Sequence, residues 1–135
     1  MKSTSVWEGG FRSKITNSDG HSVTVDLPKE NGGEGAGMTA LELNAMSFGG
    51  CFNTIFMMLA GKMRLKIAAL ETEVVAEHPA GSKTITEAHL KIKVKSGDED
   101  EKIENCVLKT IAACPVGVLY VGAGVVLTHE TLIEK

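Results

Sequence analysis

The stretch from Thr39 to about Met63 is what any fold for this chain has to accommodate. Leu41, Ala45, Phe48, Phe52, Ile55, Phe56 and Leu59 recur at helical spacing, and Thr39-Ala40-Leu41-Glu42 has the form of a capping box. In that motif the Thr oxygen accepts from an early orphan N–H and Glu42 reaches back to the cap. A helix apolar nearly all round belongs at a centre, buried by the rest of its domain or by a second subunit. No uninterrupted apolar run reaches the roughly 18 residues of a membrane span. Gly49-Gly50 interrupts the helix at a cost of about 1 kcal/mol per glycine relative to alanine. The residue immediately after that pair is Cys51.

Around this helix the pattern is mostly strand. Trp7 to Asn17 and Ser22 to Leu27 flank the turn Ser18-Asp19-Gly20-His21 and read as an antiparallel hairpin. Val23, Val25 and Leu27 alternate with polar residues at the period of a half-buried strand. Leu70 to Glu77 and Thr84 to Lys95 are two further strands. In the second, Ala88, Leu90, Ile92 and Val94 face inward, while Lys91, Lys93 and Lys95 mark an edge or a solvated face. Asp98 is placed to cap a second helix whose stripe is Ile103, Cys106, Val107, Ile111 and Cys114. Pro115 ends it and can open a new short helix, and Val125 to Ile133 is a last strand. Hairpins and two helices without βαβ alternation point to an α+β fold. At 135 residues, one domain spanning 1–135 is expected.

A net charge of −3 lacks the basic footprint of a nucleic-acid binder or of a polybasic membrane-surface protein. The opening segment has no apolar core of a signal peptide, and three cysteines fit poorly with a secreted disulfide framework, so a cytoplasmic setting is expected. Pro28 to Met38 is glycine-rich, but Met38 stands where a GxGxxG pattern needs its third glycine, so it reads as a surface loop. Without a CxxC pair or paired-His spacing, no metal site is expected, and nothing calls for a cofactor. His21, His78, His89 and His129 read as surface residues.

The cysteines therefore pack or react. Cys106, on the apolar stripe, fits plain packing. Cys51 shares a thin semi-polar strip with Asn44, Ser47, Thr54 and Met58, and Cys114 stands where a new helix begins, a position that favours a thiolate. Burial as small hydrophobes is the alternative use for both.

The segment Leu41-Glu42-Leu43-Asn44-Ala45-Met46-Ser47-Phe48-Gly49-Gly50-Cys51 resembles the "ELLLAALGGC" helix start of the OsmC/Ohr-like proteins. Cys114-Pro115-Val116-Gly117 resembles their "CPxS" motif, with Gly117 in place of the serine. Trp7-Glu8-Gly9-Gly10-Phe11-Arg12, the hairpin, the glycine-rich loop and the later strands follow in the family's order. The resemblance implies an antiparallel sheet with two main helices in an intertwined homodimer. It implies a thiol-dependent organic hydroperoxide reductase in which Cys51 attacks the peroxide and Cys114 resolves the sulfenate as a disulfide. It also implies a dithiol reductant, such as a lipoylated protein, that restores the thiols. The family's peroxidase branches add an Arg and a Glu, for which this chain offers Arg12 and Glu42. Arg12 lies one place beyond the family's spacing. Phe48, Phe52, Ile55 and Met58 would give Cys51 an apolar approach suited to an alkyl hydroperoxide. A non-enzymatic redox sensor, or a dimer binding a small apolar ligand, is the alternative on the same scaffold.

Overall fold

Gly9 and Gly10 carry φ angles of 113° and 53°, and the chain reverses there. The segment expected as one strand from Trp7 is thus two, β1 (Ser3–Gly9) and β2 (Arg12–Asn17). Left-handed backbone is readily open only to residues without a Cβ, and two adjacent glycines supply the turn. After β2 comes the expected hairpin to β3 (Ser22–Val25), whose turn is held by the Asn17 side chain accepting from Asp19 and His21 N–H. The three strands form one antiparallel sheet in the order β1-β2-β3.

The computed structural model describes residues 1–135, in two compact units, Met1–Asn44 and Ala45–Lys135. In the first unit the glycine-rich loop is tightly organised. Asp26, 3% exposed, accepts N–H bonds from Leu27, Glu34 and Ala36. These bonds, led by that from Ala36, hold its carboxyl below the usual carboxylate range, and the Arg12 charge adds to them. A Cβ at Gly33 would stand 1.9 Å from the Leu27 carbonyl oxygen, so only glycine fits.

Helix α1 (Ala40–Lys62) opens on the capping box, with Thr39 N–H donating to Glu42 at 2.6 Å and Glu42 N–H to Thr39 Oγ1 at 3.2 Å. Phe48, Phe52, Phe56 and Ala60 are buried in one stripe, with Met46, Met57 and Met58 exposed. An 18-residue window averages a mean hydropathy of 1.3, so by length and composition α1 could cross a membrane, although no uninterrupted apolar run does so. A core helix passes the same test. No steric need accounts for the Gly49-Gly50 pair: a Cβ at Gly50 would meet nothing within 4 Å, and one at Gly49 only ordinary contacts.

The second unit continues with β4 (Ile67–Glu77), β5 (Glu87–Ser96), α2 (Asp100–Ala113), α3 (Pro115–Gly122) and β6 (Val126–Glu134). The sheet order is β4-β5-β6, and here two expectations are corrected. β4 and β5 are antiparallel, but β5 and β6 are parallel, so the sheet is mixed rather than antiparallel. Parallel neighbours need a long crossover, and α2 with α3 supplies it, which is a βαβ connection after all. The short helix expected to open at Pro115 is α3, which joins the two longer helices. Their family of elements remains α+β.

On β5 the expected inward residues Ala88, Leu90, Ile92 and Val94 are all buried. Its lysines occupy the solvated face of a central strand, where Lys93 and Lys91 stand opposite Glu71 and Glu73 and pair with them at 3.1 and 3.4 Å. Asp98 does not cap α2; Glu99 is the N-cap. The Asp98 carboxylate accepts from Lys66 N–H and from Ser96 Oγ, which ties the start of β4 to the end of β5.

Candidate functional site: a pair of thiols

Cys51 lies on α1 three residues beyond the buried Phe48, at intermediate exposure. Cys114 is 0% exposed and forms the hinge between α2 and α3, whose axes differ by 61°. Its φ and ψ of −68° and 114° leave the helical region, as a residue before proline must. Both helices use this hinge: Cys114 N–H donates to Thr110 O at 2.8 Å, and Val118 N–H donates to Cys114 O at 2.9 Å. Pro115 begins α3, where its missing N–H costs nothing.

The fold brings the Cys51 and Cys114 side chains into hydrogen-bonding contact, and both are free thiols. Burial pushes the Cys114 thiol up, and the neighbouring Cys51 adds to that. In the other direction, the Gly117 and Val116 N–H groups favour the Cys114 anion, although neither makes a capping hydrogen bond of ordinary geometry. Cys114 is therefore a thiol in the resting state, set where a thiolate would find donors.

Phe48 packs beside Gly117, three residues beyond Cys114. Its ring lies 4.8 Å from that of Tyr120, tilted by 43°, and a Cβ at Gly117 would stand 3.1 Å from its Cε2 and 3.6 Å from the Cys114 Cβ. Glycine at position 117, where the CPxS pattern has serine, is what lets Phe48 sit this close. The Tyr120 hydroxyl is buried without a hydrogen-bond partner. Tyr120 and the Phe48–Gly117 contact escaped the sequence reading; the one available signal was the departure from serine at Gly117.

The remaining expected residues are placed as follows. Cys106 is 0% exposed, donates weakly to Phe56 O at 3.8 Å, and is pushed up by burial, so it packs. The supposed apolar approach is corrected in part: Phe52 stacks on Phe56 at 6.2 Å inside the core, whereas Met58 is exposed. Thr54 turns back to Gly50 O, and Asn53 instead accepts from Thr72 Oγ1 at 2.7 Å. Arg12 and Glu42 belong to the first unit. There Arg12 binds Glu34 at 2.6 Å and Glu8 at 3.6 Å, and Glu42 serves the capping box. No cluster of three or more His, Cys, Asp or Glu forms a metal-binding group.

A fold with paired strands, a long central helix and two cysteines meeting at a helix hinge is that of the OsmC-like proteins. The chain belongs to this family, whose family model matches residues 32–130. The OsmC-like protein of Mycoplasma pneumoniae is similar with a TM-score of 0.87 at 16% identity, over 99% of this chain and 96% of that one. The organic hydroperoxide resistance protein OsmC of Legionella pneumophila gives 0.75 at 17%, over 100% and 98%. The organic hydroperoxide resistance protein OhrB of Bacillus subtilis gives 0.64 at 20%, over 98% and 96%. Among curated proteins none matches this sequence.

Proposed function

We propose that this protein reduces organic hydroperoxides by a two-cysteine cycle, with Cys51 as the attacking thiolate and Cys114 as the resolving thiol. The observation that carries the reading is the contact between a part-exposed Cys51 and a fully buried Cys114. The exposed sulfur meets the substrate and the buried one waits beside it. Cys51 attacks the peroxide O–O bond, becomes a sulfenic acid and releases the alcohol. The Cys114 thiol then displaces water from that sulfenic acid, forming the Cys51–Cys114 disulfide. A dithiol such as one carried on a lipoylated protein takes the oxidising equivalents and returns both thiols. The printed names of the Legionella and Bacillus relatives support the substrate class.

In this reading Arg12 and Glu42 supply the charged groups that hold the thiolate and orient the peroxide, and the protein works as a cytoplasmic homodimer. The uncovered apolar residues of α1 and α3, among them Met46, Met57, Leu119 and Val121, support the dimer. The commitment of Arg12 to Glu34 and Glu8 favours a second reading, a redox sensor that forms the same disulfide once without turning over.

The test is intact mass with thiol counting on reduced protein, before and after one equivalent of an organic hydroperoxide. Rapid loss of two thiols, mapped to Cys51 and Cys114 with Cys106 still free, is the expected result. Three unchanged thiols would sink the peroxidase. Repeated turnover with a dithiol then separates enzyme from sensor. Cys51→Ser should abolish peroxide consumption, and Cys114→Ser should leave a sulfenate that accumulates on Cys51.

A further inference from the structure

We infer that the Cys51–Cys114 disulfide is opened only at the Cys51 sulfur, so that the reductant forms its mixed disulfide with Cys51 and Cys114 departs as the thiolate. This rests on the reading above that the two cysteines form a disulfide, and it fixes where the reducing partner must enter.

Thiol–disulfide exchange is an in-line displacement whose direction depends on which sulfur can be reached and which leaves more readily. Access decides it here. Cys114 is 0% exposed, and behind it Phe48 closes on Gly117, where even one added carbon would stand 3.1 Å from the ring. A nucleophile aimed at the Cys114 sulfur would have to pass through that packing. Cys51 is partly exposed on α1, so it is the member of the pair that a reductant in solution can reach. As for departure, burial holds the Cys114 thiol up and the Gly117 and Val116 N–H groups offset this only in part, so access rather than departure sets the direction.

The exchange balances in two steps. A reductant thiolate attacks Cys51 Sγ, forming a new S–S bond, and the electron pair of the old bond leaves on Cys114 Sγ, which then takes up a proton. The second thiol of the same reductant attacks its own sulfur in the mixed disulfide, releasing Cys51 as a thiolate and leaving the reductant as a cyclic disulfide. Two electrons pass from the dithiol to the protein. Cys106, packed against the Phe56 carbonyl, takes no part.

The experiment uses the wild-type chain with the disulfide made by diamide, which does not depend on peroxide chemistry. The oxidised protein is mixed briefly with 2-mercaptoethanol, quenched in acid, alkylated at low pH and mapped by peptide mass spectrometry. Mercaptoethanol on Cys51 with alkylation of Cys114 is expected, in excess of the reverse by more than about tenfold. Adducts on Cys114, or equal amounts on the two cysteines, would overturn the inference. A cross-link formed by diamide but not by hydroperoxide would overturn the peroxidase reading alone, and the absence of any Cys51–Cys114 cross-link would overturn both.

Discussion

At Cys114 two influences oppose each other: burial holds the proton on, while the first N–H groups of α3 favour its loss. Cys106 has the first influence, partly relieved by Thr110, and Cys51 is the one partly exposed cysteine. An alkylating agent at neutral pH should therefore label Cys51 first and leave Cys106 unlabelled until the protein unfolds. Labelling of Cys106 at a comparable rate would show that the core opens more easily than its packing implies. Tyr120 offers a second check on this scale. Its orphaned hydroxyl is a burial cost that Tyr120→Phe removes, so that variant should melt no lower than the wild type. If Tyr120→Phe instead lowered peroxide consumption with stability unchanged, the hydroxyl would be binding substrate. Both residue types are plain in the sequence, yet nothing in the sequence separates the buried thiol from the exposed one. Burial is set by which helix covers which, and the covering groups, Phe48 and Tyr120, come from positions far along the chain from one another.

Among the elements, α1 was the most legible, because periodicity and the capping box are local signals and both hold in the fold. Its Gly49-Gly50 pair was not. Gly50 is exposed with open space where a Cβ would go, so Gly50→Ala should stabilise the helix by about 1 kcal/mol in a thermal or denaturant melt. A loss of stability would mean that another surface, such as a second copy, packs on that face. At Gly117 the opposite sign is expected. Gly117→Ser pushes on the Phe48 ring and should cost about 1–3 kcal/mol, an overpacking penalty readable in the same melt. The loop from Leu27 to Met38 read as a plain surface loop, because the sequence shows glycines but not the carboxylate they gather around. Asp26→Ala should speed amide exchange at Leu27, Glu34 and Ala36 while leaving the second sheet protected. With its folded-state pKa depressed, Asp26 contributes stability above the usual carboxylate range. That contribution is lost as pH falls through the lowered value, so the loop should stay ordered through mild acid and loosen below it. Loosening at higher pH would contradict the arrangement.

Over the whole molecule, one stripe of α1 is buried within the chain, and a large apolar remainder on α1 and α3 is not. Light scattering on the purified protein should give twice the mass of the chain, and Leu119→Glu should shift it toward one. A monomer at micromolar concentration would remove the dimer from the proposed function. The sequence by itself determined the capping box of α1, the alternation on β5, the helical rod with Cys51 in it and the break at Cys114-Pro115, since each follows from contacts between near neighbours. Tertiary structure alone decided that β6 runs parallel to β5, that Asp26 gathers the glycine loop and that Cys51 meets Cys114. Those outcomes depend on which distant segments share a core, and side-chain packing across long sequence separations leaves no periodic trace in the chain.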